Sequence, residues 1–177
     1  EYTTALRREL PILIKNFGIK RICDAGCGDM TWMEEVLKQV QVHYTGIDIS
    51  EQVIQWNKQK YPHLNFINVD ITEDALPKDC DLILVKDVFL HLSIEDIKKT
   101  LENIISKSKF KFMLATSYTA HQYNFDKTTN HIARPVNLQI EPFFLHNPIM
   151  QIEENNGGRW GKMEFSKRMC LWNFEEL

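Results

Sequence analysis

No apolar run in the 177-residue sequence approaches the length needed to cross a bilayer; the longest are short, such as Leu82 to Val85. No signal-peptide pattern opens the chain. Charge of one sign is not in excess: the formal net charge is −3, which leaves no global electrostatic case for nucleic acid. The four cysteines, Cys23, Cys27, Cys80 and Cys170, match no zinc-ligand spacing. They read as small, buried, reduced thiols, and so as a protein of a reducing, cytoplasmic compartment. Repeats and low-complexity tracts are lacking too. Glu1 is not a start residue, so a segment is expected to precede it, where a targeting signal would not be visible. What is present is ordinary for a globular domain: 44% hydrophobic and 25% charged residues, in a chain long enough to bury one core without staples.

The chain opens on a helical pattern over residues 3–17, with Leu6, Leu10, Leu13, Ile14 and Phe17 on one face. Pro11 is expected to divide that helix or to start a second one, and Gly18 to cap it. A regular alternation follows. Lys20 to Ala25 reads as a short buried strand, and Trp32, Met33, Val36, Leu37 and Val40 recur at helical spacing. Val42 to Ile49 is a second strand. Ser50 caps a helix carrying Val53, Ile54 and Trp56, which ends before Pro62. Asn65 to Ile71 and Asp81 to Val85 are strands. Ser93 caps a helix with Ile94, Ile97, Leu101, Ile104 and Ile105 on one face, and Phe110 to Thr116 is a fifth strand.

Strands and helices alternating through short links imply parallel pairing by right-handed crossovers. After Tyr118 the rhythm breaks. Residues 119–146 are aperiodic, yet their aromatics, among them Tyr123, Phe125, Phe143 and Phe144, argue against disorder; a stretch this long is expected to be functional. Two strand-like segments close the chain, Ile149 to Glu153 and Lys162 to Trp172, with a turn at Asn155 to Gly158 between them. The expected fold is therefore one α/β domain over residues 1–177, a Rossmann-like doubly wound sheet of seven strands, mostly parallel with an antiparallel terminal strand. Ligands bind such sheets at the carboxyl ends of the strands.

Directly after the first strand stands Asp24-Ala25-Gly26-Cys27-Gly28-Asp29. Its two glycines let the backbone approach a ligand, and the following helix is expected to aim its N-terminus at the same place. A nicotinamide-binding loop would want Gly-x-Gly-x-x-Gly, but Thr31 stands at the third position. Asp48 ends the second strand, where a carboxylate can accept both hydroxyls of a ribose. Asp70 ends the third, in reach of an exocyclic amine. A single strand-end aspartate is more simply an Asx turn. Asp24, Asp48 and Asp70 at three successive strand ends favour a nucleoside-containing cofactor.

On these residues the chain resembles the class I S-adenosylmethionine (SAM)-dependent methyltransferases over essentially its whole length. It is particularly similar to a bacterial group with a Cys-Gly-Asp-x-x-Trp-Met loop, here Cys27 to Met33. Further matches are Lys86-Asp87-Val88-Phe89-Leu90-His91-Leu92-Ser93, Arg134-Pro135-Val136-Asn137-Leu138 with Pro142-Phe143 and Pro148, and Leu171-Trp172. The resemblance implies Asp24, Gly26 and Gly28 near the methionine part of SAM, Asp48 with Ile49 beside it on the ribose, and Asp70 with Ile71 around the adenine. It implies Lys86 near the cofactor's amino-acid end or the acceptor. Two positions depart: the wider family often has glycine where this chain has Met30, and the close group commonly has arginine at Lys86.

Methyl transfer from a sulfonium requires alignment and exclusion of water, and no metal. A hydroxyl acceptor benefits from a general base, for which His91 and Asp87 are the candidates; a phosphate, phosphoramidate or carboxylate oxygen needs none. Against His91, a His-Leu pair at this point recurs in methyltransferases with unlike acceptors, and Asp87 can instead cap or tether the following turn. The aperiodic segment is expected to form the acceptor wall through Tyr118, His121, Tyr123, Asn124, Arg134 and Asn137. Arg134 is expected either to grip an anionic group of a small-molecule acceptor or to sit in a surface salt bridge. Trp32 either stacks over cofactor or acceptor or packs in the core. Related chains are often tied to bacterial surface glycans, which makes a capsule or lipopolysaccharide sugar, or a phosphate-type group on one, the expected acceptor, methylated on oxygen. Nucleic acid is not expected as a partner, since the Asn-Pro-Pro-Tyr-type motif is absent. A nicotinamide-dependent oxidoreductase and a SAM-binding module without transferase activity remain the alternatives.

Overall fold

The structure is a computed structural model, and it describes residues 3–108, 110–126, 133–154 and 167–175. Helix α1 (Thr4–Asn16) buries Leu6, Leu10, Leu13 and Ile14. It runs unbroken through Pro11, contrary to the expected division; the proline ring is itself buried in the core, and its absent N–H forgoes only one bond of the ladder. At the C-terminus the Ile19 amide donates to the Ile14 carbonyl and the Gly18 amide to that of Lys15, the paired bonds of a Schellman cap.

Among the described residues the sheet holds seven strands in the order β3-β2-β1-β4-β5-β7-β6. They are β1 (Arg21–Ala25), β2 (His43–Asp48), β3 (Asn65–Asn68), β4 (Leu82–Val85), β5 (Phe112–Tyr118), β6 (Met150–Glu153) and β7 (Lys167–Asn173). The first five pair in parallel. Strand β7 is antiparallel to both β5 and β6, as expected of the closing segment. The expected turn at Asn155 to Gly158, and the start of that segment at Lys162, lie outside the described residues. Strands β4 and β5 are buried along their whole length, which is why they read as continuous apolar runs.

Helices α3 (Glu51–Lys60) and α4 (Ile94–Glu102) start where Ser50 and Ser93 accept the amides of Val53 at 3.4 Å and Asp96 at 3.0 Å. Two readings need correction. Helix α2 covers only Met33–Leu37, because Met30 turns the chain at φ 65° and an Asx turn from Asp29 to the Thr31 amide delays the helix. So short a helix offers the cofactor loop no strong N-terminal dipole. On α3, Trp56 is exposed; the inward positions are Ile54 and Asn57, three residues apart on one face. Two apolar clusters form the core, one on each face of the sheet, the first gathering α1 and α2 and the second the α4 side.

Candidate functional site

The first half of the site is the turn after β1. The amides of Gly26 and Cys27 both donate to the Ile47 carbonyl, at 2.8 and 3.1 Å, which pins the loop to β2. Gly26 has φ +77°, and a Cβ there would stand 2.5 Å from Val88 Cγ2, so the loop and the segment after β4 meet only because this residue has no side chain. Gly28 has φ +54° and nothing within 4 Å of where a Cβ would point. That space beside the loop is what a close-lying ligand would need. Met30 shows why glycine suits its position in related chains: its backbone is left-handed, and the side chain is buried with Sδ 2.9 Å from the Tyr44 hydroxyl oxygen.

Asp48 ends β2 with one backbone donor on each oxygen: Gly28 N–H on Oδ2 at 3.2 Å and Ser50 N–H on Oδ1 at 2.9 Å. A carboxylate oxygen accepts more than one bond, so lone pairs remain for a ribose diol. Ile49 beside it is 70% exposed, an apolar side chain left for a ligand to cover. Asp70 lies beyond the end of β3 rather than within it. Its Oδ1 accepts the Thr72 amide at 2.9 Å and the Thr72 hydroxyl at 2.7 Å, an Asx turn, and the neighbouring Ile71 is buried. Asp24 is buried and accepts the Tyr44 hydroxyl at 2.7 Å. Burial pushes its carboxyl up to about 7; the Tyr44 hydrogen bond opposes the rise, Asp48 adds to it, and Lys86 opposes it.

The second half lies over the carboxyl ends of β4 and β5, where β6 ends and β7 begins. Lys86 and Asp87 follow β4 and form an ion pair with each other. Glu154, one residue past β6, reaches the Lys86 ammonium at 3.3 Å and the Lys167 ammonium at 3.2 Å, one on each carboxylate oxygen. Lys167 returns to Asp87 at 2.7 Å, closing a ring of two cations and two carboxylates. Asp87 stands at φ 58°, its amide donating to Thr116 Oγ1 at 2.9 Å. Burial works to raise the Asp87 carboxyl, but Lys86 and Lys167 outweigh it and hold it below the usual carboxylate range. Tyr118, buried at the end of β5, is pushed up to about 12 by burial and by the charges of Asp87 and Glu154. Lys86, Asp87 and Tyr118 are thus brought together at one edge of the sheet. Glu154 and Lys167 were not foreseen, because only the insertion of β7 beside β5 carries them here.

The aperiodic segment is built differently from the acceptor wall expected of it. Arg134 is only 4% exposed and spends its fork on main-chain carbonyls: Nε donates to Phe125 O at 2.7 Å, and Nη1 to Leu92 O at 2.7 Å and Leu90 O at 3.4 Å. Asp126 stands 3.9 Å from Nη2. The guanidinium therefore fastens the segment to the turn after β4, in place of the expected anion contact. Asn124 and Asn137 likewise fold the segment on itself. The Asn124 amide donates to the carbonyls of Asn137 and Glu141, and that of Asn137 to the His121 carbonyl. Tyr123 is exposed and stacks with His121, ring centroids 5.1 Å apart. Trp32 packs against the core beside α2, the second of its two readings. His91 is exposed at the end of a 3₁₀ turn, Phe89–His91.

Residues 22–109 match the family model for a methyltransferase domain. The methyltransferase domain of bacterial CtHen1 superposes with TM-score 0.60 at 15% identity, covering 68% of this chain and 68% of that one. The fold is that of the class I SAM-dependent methyltransferases. Human N-acetylserotonin methyltransferase, solved with SAM, gives TM-score 0.54 at 21% identity over 63% of this chain and 33% of that one. The N-methyltransferase NodS from Bradyrhizobium japonicum, solved with S-adenosylhomocysteine, gives 0.51 at 17% over 65% and 62%. No curated protein sequence matches the chain. The methyltransferase-domain match and this fold agree with SAM as the cofactor, and the β1 loop with Asp48 and Ile49 would fit it: an open cradle at Gly28, a half-engaged carboxylate and a bare apolar side chain.

Proposed function

We propose that the protein is an O-methyltransferase that takes a small polar acceptor over the ends of β4, β5 and β7, next to a cofactor held by β1 and β2. The observation that carries this reading is the division of the carboxyl edge: a glycine cradle with the Asp48 carboxylate on one side, and a desolvated ring of charged groups on the other. Asp24, Gly26, Gly28, Asp48 with Ile49, and Asp70 with Ile71 would hold the methionine, ribose and adenine parts in turn. Bound there, SAM supplies a methyl carbon on a leaving sulfonium. Lys86 stands between the two halves, close enough to Asp24 to bear on its ionisation.

The acceptor we propose is a sugar, phosphate or phosphoramidate group of a bacterial surface glycan, on the resemblance of the chain to proteins tied to such glycans. His91 and Asp87 are the candidate bases for a hydroxyl. Asp87, held ionised by two ammonium groups, is a weak one. Tyr123, exposed and set against the buried His121 ring, offers the acceptor an aromatic face beyond the end of β5. The test is turnover: S-adenosylhomocysteine formation is measured with sugars, sugar phosphates, phosphoramidates and amines as acceptors. Release that depends on an oxygen acceptor is expected. Turnover with amines alone would overturn O-methylation, and cofactor binding without turnover on any acceptor would favour a SAM-binding module.

A further inference from the structure

We propose that the ammonium groups of Lys86 and Lys167 together bind an oxyanion of the acceptor, in the place that the Asp87 carboxylate takes in the ring. This rests on the methyltransferase reading above and names the chemistry of its acceptor. Glu154 is the fixed half of the ring. It is sealed from solvent and meets one lysine with each oxygen, so a single buried carboxylate stands against two cations. The second neutralising charge comes from Asp87, the outward member: its side chain is 36% exposed, against 10% for Lys86, 13% for Lys167 and 2% for Glu154. Asp87 is also held at φ 58°, a backbone region that side chains other than glycine seldom adopt. Its two oxygens lie 2.7 and 2.9 Å from the Lys167 ammonium, the distances at which a ligand carboxylate or phosphate would be gripped.

The chemistry of the surrounding groups agrees. Asp87 stays ionised beside its two lysines, and Tyr118 holds its proton far above neutrality, so neither draws a proton from a neutral hydroxyl. An oxyanion asks for no base. Its lone pair forms the new C–O bond as the C–S bond breaks, and the electron pair of that bond goes to sulfur. The anionic and the sulfonium charges vanish together, and no proton is released. The ring thus suits a substrate that arrives already deprotonated, such as a phosphate-type or carboxylate group.

The test titrates inorganic phosphate, and in parallel acetate, into the S-adenosylhomocysteine-saturated protein by calorimetry. Asp87→Asn removes the internal competitor and is expected to bind one of these anions about tenfold more tightly than the wild type, as loss of a charge-assisted contact implies. The better of the two names the class of oxyanion. Adding Lys167→Met to Asp87→Asn is expected to abolish that gain. The inference is overturned if Asp87→Asn binds neither anion better than the wild type, or if the double variant keeps the gain. Where the double variant does not fold, the Asp87→Asn comparison decides alone. S-adenosylhomocysteine binding by the wild type separates the two levels: its absence would sink the methyltransferase reading, whereas intact binding without an anion gain sinks only this inference.

Discussion

Arg134→Met tests what the aperiodic segment is for. In the structure this guanidinium makes two hydrogen bonds of 2.7 Å to the carbonyls of Phe125 and Leu92, and a longer one of 3.4 Å to Leu90. The side chain is almost wholly buried, so methionine fills much of the same volume but leaves those carbonyls without a donor. Hydrogen bonds from a charged donor contribute roughly 1.5–3 kcal/mol each, so losing the two short ones costs about 3–5 kcal/mol once relaxation is allowed for. In a domain of this size each kcal/mol moves Tm by about 2–4 °C, which places the loss at about 6–20 °C. Arg134→Lys, which keeps the charge but not the fork, recovers only a minor part. The assay is thermal denaturation with and without S-adenosylhomocysteine, together with calorimetric cofactor affinity at 10 °C below the variant's Tm. Cofactor affinity is expected to stay within a few-fold of wild type, because the cradle lies on β1 and β2. A Tm within about 2 °C of wild type, paired with a selective loss of acceptor binding, would refute the clip and restore the anion-binding role.

Three further outcomes follow from the same geometry. Asp48→Ala weakens SAM binding at least about tenfold by calorimetry, since two charge-assisted bonds to the ribose are lost along with the tie to the Gly28 amide; unchanged affinity in a folded variant excludes the assignment. Gly26→Ala destabilises more than Gly28→Ala in thermal melts, because only the first drives a Cβ into Val88, while Gly28→Ala keeps the fold and loses cofactor affinity; the reverse order would contradict the cradle. Asp24, raised from 3.8 to about 7 by burial, takes up a proton on folding between those values, so its contribution to stability is full below pH 4 and lost as pH rises through 7. The Tm of Asp24→Asn relative to wild type should therefore climb across that window, and a flat difference would show that Asp24 is not raised.

Much of the fold is legible because the strands are short segments with apolar centres and a marker behind several of them. Ser50 and Ser93 announce their helices, and Gly26 and Gly28 mark the loop by residue type alone. What escapes the sequence is partnership across the fold. Arg134 has the chemistry of an anion binder, but its partners here are carbonyl oxygens, which every residue carries and none advertises. Trp56 is large and apolar yet faces water, since the helical turn presents Ile54 and Asn57 inward, and Asn57 earns burial by donating to the Gly28 carbonyl at 2.7 Å. Glu154 and Lys167 look like ordinary hairpin charges until β7 slots between β5 and β6 and carries them to Lys86 and Asp87.

That insertion also orders the birth of the domain. Among the described residues strand β6 pairs with β7 alone, and α1, made well before either, packs against β6. Leu171 and Met169 of β7 complete the same apolar cluster that receives Leu6, Leu10 and Leu13. A ribosome releasing this chain therefore holds a helix whose apolar seat is finished by the strand emitted last among the described elements. Until then part of the helix face and the flank of β5 stay uncovered together, exposed to whatever chaperone or neighbouring chain meets them first. A nascent chain stopped short of Lys167 would lack β7, leave β6 without its partner strand, and miss part of the seat of α1 and one of the two cations at the acceptor edge.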